Sequence, residues 1–471
     1  MTLALAAVAL SVPLVLGIAL LAACRARSGA GDDAGLVPWT IGAGFVVGVL
    51  VLTAIMRIDA LAGLPFGWLS IGVPAVALAF AFAWAARRAP LAAIACGAVR
   101  TLGAQGLAGR ARYAWFVLIA WIGVRAAMLL VEVASRPLYA WDAWSAWATK
   151  AKAYFAMRTI VPFVDLAAWS AAATPSWYDA QPMQPATLPL LQAWIATAAG
   201  AWDDASVALP WWLFFVALVL IVYGEVRRRG APPLHALVAA WLVATLPLAG
   251  MQAALAGYAD LPLAVAFALG ALAGVRAMRT RAPIDVVAAV AALASLALYK
   301  FSGFAWLVVA LPGLAAAALG RAWHKRLAVV VLVAAIAIAG IAARFPQLSI
   351  GLVSFAYLPA WDSYLMESVL LANWHLVALG LAGTLALRYK RVIDADMAPL
   401  TLILAAAAVW IAMLVAFPSL RLFGADFLGL NRATLVVVPY AIAWMAVAML
   451  DAPVAEILPE PMPAPATPVA A

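Results

Sequence analysis

The chain has 471 residues, of which 68% are hydrophobic and 10% charged, and its mean hydropathy is +1.06. A soluble fold could not keep that much apolar surface from water, so the composition excludes a soluble enzyme or binding module and demands a polytopic membrane protein. The net charge of +9 does not indicate nucleic acid, because the arginines fall in short clusters between apolar runs, as in cytoplasmic loops.

Taken in chain order, apolar runs predict thirteen membrane spans, near 2–23, 37–56, 65–86, 113–133, 205–226, 234–250, 259–278, 284–300, 303–319, 327–343, 373–388, 398–416 and 432–450. Several are shorter than the roughly 20 residues a straight spanning helix needs, so their edges are soft. The N-terminus lacks a basic n-region and a convincing cleavage site, so its first run is expected to be a retained span. Clusters at Arg25/Arg27, Arg87/Arg88/Arg100/Arg110/Arg112, Arg227–Arg229, Arg276/Arg279/Arg281, Arg321/Lys325/Arg326 and Arg388/Lys390/Arg391 alternate with poorly basic loops. Placing them inside puts the N-terminus outside and the C-terminus inside. Cys24 and Cys96 then fall on the cytoplasmic side and imply no disulfide framework.

The expected fold class is therefore an all-α, polytopic transmembrane helical bundle. Residues 1–112 read as accessory transmembrane helices, 113–452 as the chemistry-bearing module, and the Pro/Ala-rich run 453–471 as a disordered tail. The longest external segment is 134–204. Within it, residues 186–199 form an apolar stretch of about a dozen residues, too short to span. It is expected to lie as a juxtamembrane helix on the outer membrane surface.

The most informative stretch opens that segment: Tyr139-Ala-Trp141-Asp142-Ala-Trp144-Ser-Ala-Trp147-Ala-Thr-Lys150-Ala-Lys152. Aromatic rings alone serve as interfacial anchors, but an acid and two lysines in the same stretch point to a site. Asp260 sits in Gly257-Tyr258-Ala-Asp260-Leu-Pro262, a tight external turn opening a span. It is read both as a helix N-cap and as a second acid facing the cavity of Asp142. Lys300 and Arg432 are basic residues on the poorly basic side. Snorkelling to headgroups explains such a residue, and so does an anionic phosphate held by an ammonium and a guanidinium. Asn431 stands beside Arg432; Arg344, Arg421 and His375 are weaker candidates. Arg125 and Glu132, seven residues apart on one span, are read as contacts to neighbouring helices, with lining the cavity as the alternative for Glu132.

The sequence has no phosphate-binding Gly-rich loop, no paired-His motif, no Cys/His metal cluster and no nucleophile elbow. A histidine metal site is not expected from three histidines. Asp142 and Asp260 could bind a divalent cation, Mg or Mn, but are too few to require one.

The order of features resembles a known pattern: an acid in a long first external loop, a proline-containing interfacial helix, an Arg-rich cytoplasmic turn, Tyr-x-Asp-x-Pro, Lys-x-x-Gly, and an Arg heading a late span. It resembles the GT-C superfamily of integral-membrane glycosyltransferases, on the branch with protein O-mannosyltransferases and the lipid A aminoarabinose transferase, over roughly residues 115–450. The usual Tyr-Pro-Pro-Leu is here only Gln181-Pro-Met-Gln-Pro185-Ala-Thr-Leu-Pro189, and no sizeable soluble domain follows the last span. The resemblance implies a polyprenyl-phosphate sugar as donor and an acceptor that is a protein, lipid or glycan. It places the active site on the outer face of a bacterial-type inner membrane, among membrane lipids. Asp142 would be the acceptor base, with Asp260 as second acid and Lys300 and Arg432 on the donor phosphate. Trp141, Trp144, Tyr258 and Asn431 would contact substrate. A transporter or lipid flippase is the alternative, and a non-catalytic envelope scaffold a third reading.

Overall fold

The computed structural model describes residues 2–26, 34–87, 107–171, 176–345, 347–350, 353–359, 361–366, 372–417 and 428–451. Cys96, Arg27, Arg88, Arg100, Arg421 and the tail 453–471 lie outside them. The protein is an all-helical polytopic membrane protein. Its helices are α1 (Thr2–Ala26), α2 (Leu36–Leu61), α3 (Trp68–Ala86), α4 (Gly109–Ser135), α5 (Ala148–Met157), α6 (Leu166–Ala171), α7 (Thr187–Ala199), α8 (Asp204–Arg228) and α9 (Pro233–Thr245). There follow α10 (Pro247–Ala254), α11 (Asp260–Thr280), α12 (Pro283–Tyr299), α13 (Gly303–Leu319), α14 (Arg321–Arg344), α15 (Trp361–Leu365), α16 (Val377–Ile393), α17 (Ala398–Ala416) and α18 (Leu428–Ala448). Two small ladders complete the described residues: parallel β1 (Phe163–Val164) with β2 (Trp177–Tyr178), and antiparallel β3 (Gln347–Ile350) with β4 (Val353–Ala356).

Nine of the described helices are long and apolar enough to cross a membrane, and α9 with α10 makes a tenth if their 57° bend lies within one span. The bend falls at Leu246-Pro247, where proline cannot supply the helical N–H. Helices also occupy the other expected positions, but α12, α13 and α16 have only 17 residues each.

Burial orders the bundle. In α11, 89% of the spanning window is buried, against 11% in α4 and none in α14. An apolar helix with no polar face is stable only when enclosed or in lipid, and α11 is enclosed by α8, α12, α13 and α18. Phe267 of α11 packs edge-on to Trp306 of α13 and Tyr440 of α18, at 5.1 and 5.7 Å. Helices α3, α4 and α14 form the rim, their exposed apolar side chains suited to lipid.

The helix at 187–199 differs from expectation. It is far more enclosed than a surface-lying helix would be: α7 is buried along almost its whole length and packs against α1, α2, α5 and α8. Its sequence explains why: Thr-Leu-Pro-Leu-Leu-Gln-Ala-Trp-Ile-Ala-Thr-Ala-Ala has no charged side chain to present to water or headgroups. Gln192 donates to the Val207 carbonyl (3.3 Å) and Trp194 Nε1 to the Ala9 carbonyl (2.9 Å), so two of its polar groups are spent on neighbouring helices.

Helices α1 and α2 share one hydrophobic core with α7 and α8. They approach through glycines: a Cβ on Gly17 would lie 1.8 Å from the Gly44 carbonyl oxygen, and one on Gly48 would lie 1.7 Å from that of Pro13. Small residues at a crossing let backbones meet where lipid provides no hydrophobic drive between helices. Gly48→Ala is therefore expected to lower the thermal unfolding midpoint of the detergent-solubilised protein by several degrees. Gly123→Ala, where an added Cβ meets nothing within 4 Å, should leave it unchanged or slightly raised.

Candidate functional site

Four charged side chains from four separate segments meet at one end of the bundle. Asp260 is the first residue of α11, Lys300 caps the end of α12, Arg432 lies in the first turns of α18, and Asp142 precedes a π-helical turn, Ala143–Trp147, ahead of α5. Asp260 Oδ1 accepts from Lys300 Nζ (2.6 Å) and its Oδ2 from Arg432 Nε (2.6 Å). Arg432 Nη2 donates onward to Asp142 Oδ2. One guanidinium thus bridges the two acids, and one acid bridges the two cations.

The local folding that allows this rests on two loops touching. Gly257 has φ +117°, and a Cβ there would lie 2.4 Å from that of Ala143, so only glycine lets the 257–259 turn seat against the turn carrying Asp142. Trp211 Nε1 of α8 donates to the Tyr258 carbonyl (2.6 Å) and holds the turn from behind. Arg432 lies over the Tyr258 ring, 5.0 Å from its centroid, a cation–π geometry.

Burial sets the electrostatics. The Asp260 side chain is 4% exposed and those of Asp142 and Lys300 15% each. A carboxylate as enclosed as Asp260 is stable only with partners, and both its oxygens have one. Burial, reinforced by Asp142, raises the Tyr258 phenol.

The sequence-nominated residues distribute as follows. Asp142, Asp260, Lys300 and Arg432 come together, with Tyr258 against Arg432; Asn431 is buried beside Arg432 at the head of α18. Trp141 and Trp144 are exposed at 72% and 59%, and Trp144 Nε1 donates to the Leu138 carbonyl (2.7 Å), fixing its ring at the surface. A cavity of about 210 Å³ lies there, lined by Leu138, Trp144, Thr149, Lys152 and Asp204 among others. The weaker candidates serve elsewhere. His375 Nε2 lies 2.8 Å from the Thr245 carbonyl, at the α9–α10 break. Arg344 stacks on Phe345, and Glu132 pairs with Arg136 one turn on (2.9 Å). Arg125 packs its guanidinium against Gly250 of α10.

A divalent cation does not fit this arrangement. The oxygens of Asp142 and Asp260 already face a guanidinium and an ammonium, which would repel it, and no group of three or more His, Cys, Asp or Glu residues among those described is placed to hold a metal.

Two further ion-pair systems were not foreseen. Lys150, one of the lysines in the aromatic stretch, is buried against Asp179 (2.7 Å) and donates to the Gln181 and Gln184 carbonyls at 3.0 and 2.7 Å. Burial lowers its ammonium and pushes the neighbouring Tyr154 phenol up to about 12. Lys150 thus pins the 177–185 loop. The acid in Trp177-Tyr-Asp179, on the same long inter-helix segment as two lysines, was the available signal. At the other end of α11 and α12, Glu225 accepts from Arg229 (3.0 Å) and Arg276 (2.8 Å), while Arg228 pairs with Asp285 (2.8 Å). Three arginines of the basic clusters are thereby spent inside the protein.

Lys150→Ala is expected to strand the buried Asp179 charge and lower stability by about 3–5 kcal/mol. The Lys150→Ala/Asp179→Ala pair should recover part of that loss, which a thermal-unfolding double-mutant cycle reads directly. Compared with models of known protein families, with curated protein sequences and with solved structures, the chain matches none.

Proposed function

We propose that the protein is a GT-C-type membrane glycosyltransferase that moves a sugar from a polyprenyl-phosphate donor to an acceptor hydroxyl. The reading sets this chemistry at the outer face of a bacterial-type inner membrane. The observation that carries it is the cluster of two carboxylates, a lysine and an arginine at the helix ends, beside exposed indole rings.

The chemistry needs those groups. A lipid-linked sugar phosphodiester already carries a good leaving group, so transfer requires a base at the acceptor, positive charge at the departing phosphate, and positioning of both. Asp142 takes the acceptor proton. The acceptor oxygen bonds to the anomeric carbon as the bond from that carbon to the phosphate oxygen breaks, and the electron pair leaves with the polyprenyl phosphate. Lys300 and Arg432 carry that developing charge. Asp260, with both oxygens engaged, holds the two cations at their spacing. Trp141 and Trp144 offer flat apolar faces for sugar rings. A single displacement inverts the anomeric centre.

Transfer of radiolabelled sugar from polyprenyl-phosphate donors in membranes tests the reading. Asp142→Asn should cut turnover about 10²–10⁴-fold, the usual worth of a general base, at unchanged protein level, and NMR of the product should show inversion. Retention would exclude the single displacement, and full activity in Asp142→Asn would remove Asp142 as base.

One observation favours a second reading, a lipid or solute transporter: the α9–α10 pair is bent by 57°, and broken helices are a device of transporters. Against it, the Asp142–Arg432–Asp260–Lys300 cluster sits at helix ends. Movement of a labelled prenyl-phosphate sugar across protein-containing liposomes without group transfer would establish the transporter instead.

A further inference from the structure

The contacts of Arg432 are unequal, and the inequality has a functional meaning. On the Asp260 side everything is fixed. Asp260 is 3% exposed, begins a helix buried on all sides, and has each oxygen committed to a separate cation. On the Asp142 side the carboxylate is more open, lies ahead of a short π-helical turn, and reaches Arg432 through a single oxygen. If one of the two contacts yields, it is the one to Asp142.

Charge points the same way. The formal charges of Asp142, Asp260, Lys300 and Arg432 cancel. With Asp142 turned away, Lys300, Arg432 and Asp260 keep one net positive charge, enough to hold a single anion. A carboxylate and a phosphate ester both offer a guanidinium a pair of anionic oxygens. Both therefore compete for the same edge of Arg432.

We propose that Asp142 and the phosphate of the donor lipid are alternative occupants of Arg432. Asp142 is masked by the guanidinium until a phosphate ester displaces it, and is thereby released as a base only when the leaving group is in place. This rests on the glycosyltransferase reading and adds a rule to it: the donor switches on the base. The rule guards the reactive phosphodiester against hydrolysis, because a carboxylate with one oxygen held by Arg432 is a poorer base for water.

The rule has an unusual consequence: the two aspartates on one arginine respond in opposite directions. Binding of a short-chain prenyl phosphate to the detergent-solubilised protein, with the corresponding prenyl alcohol and inorganic phosphate run beside it, tests this by native mass spectrometry. Asp142→Asn removes a competitor and is expected to bind prenyl phosphate about tenfold tighter than wild type. Asp260→Asn removes the support of both cations and is expected to bind at least tenfold weaker. Thermal unfolding checks that both variants are folded. In wild type, carbodiimide coupling of an amine to Asp142, read by peptide mass spectrometry, is expected to rise several-fold on saturation with prenyl phosphate. This needs no variant.

Prenyl phosphate binding that is equal or weaker in Asp142→Asn, or Asp142 labelling that falls on saturation, overturns the exchange and leaves the donor reading standing. Equal affinity for prenyl phosphate and prenyl alcohol in wild type and Asp142→Asn overturns the donor reading and the exchange with it. If inorganic phosphate reproduces both effects at the same concentration, the exchange stands and the lipid donor falls.

Discussion

Asp260 cannot hold its charge alone. It is buried at the start of the most enclosed of the described helices long enough to span, and an isolated carboxylate there would cost several kcal/mol. The remedy is two cations from two other helices, and supplying them fixes where α12 ends and where α18 begins relative to α11. Arg432, once placed by Asp260, has a guanidinium edge left over, and that edge recruits Asp142 from a segment almost 300 residues away in the chain. The candidate site is thus built outward from one buried acid. Tyr258 and Gly257, on the turn just before Asp260, then fit the Asp142 turn against it by aromatic contact and by the absence of a side chain.

The far ends of the same helices repeat the logic with the signs distributed differently. There Glu225 and Asp285 are the buried acids, and Arg228, Arg229 and Arg276 pair with them. Helix α11 is apolar between its two charged ends and is clamped at both. Sliding or rotating it would break ion pairs at both ends at once, so the four-residue cluster stands on a rigid shaft. This is the kind of support a site needs to hold groups within a fraction of an ångström.

Much of this was legible in the sequence. Spans came from apolar runs, and the site nominees came from charges on the poorly basic side: Lys300 and Arg432 lacked the cytoplasmic excuse of the other clusters, and Asp142 and Asp260 stood near apolar runs with aromatic company. What the sequence could not supply was pairing. Nothing in the order of residues says that Arg432 contacts both acids, or that Lys150 is turned inward to Asp179 rather than outward to a ligand, because those partners are separated by folds of the chain. The burial of α7 was missed for another reason. Its length and the charge of the following loop argue against a span at 186–199, whereas the lack of any charged side chain on any face of that helix argues for enclosure by protein. The arginines at 228, 229 and 276 likewise behaved as topology markers in the sequence and as structural ion pairs in the fold; a basic cluster near a span end can be both.

The enclosure of α7 also constrains how the molecule is assembled. Its 13 residues make a rod of about 20 Å, short of the roughly 30 Å of hydrocarbon, so lipid alone will not retain it as a spanning segment. Its walls come from both sides of it in the chain, α1 and α2 before it and α8 after it. The Trp194 indole reaches back 185 residues in the chain to the Ala9 carbonyl, so α7 is enclosed only where segments on both sides of it in the sequence are in place.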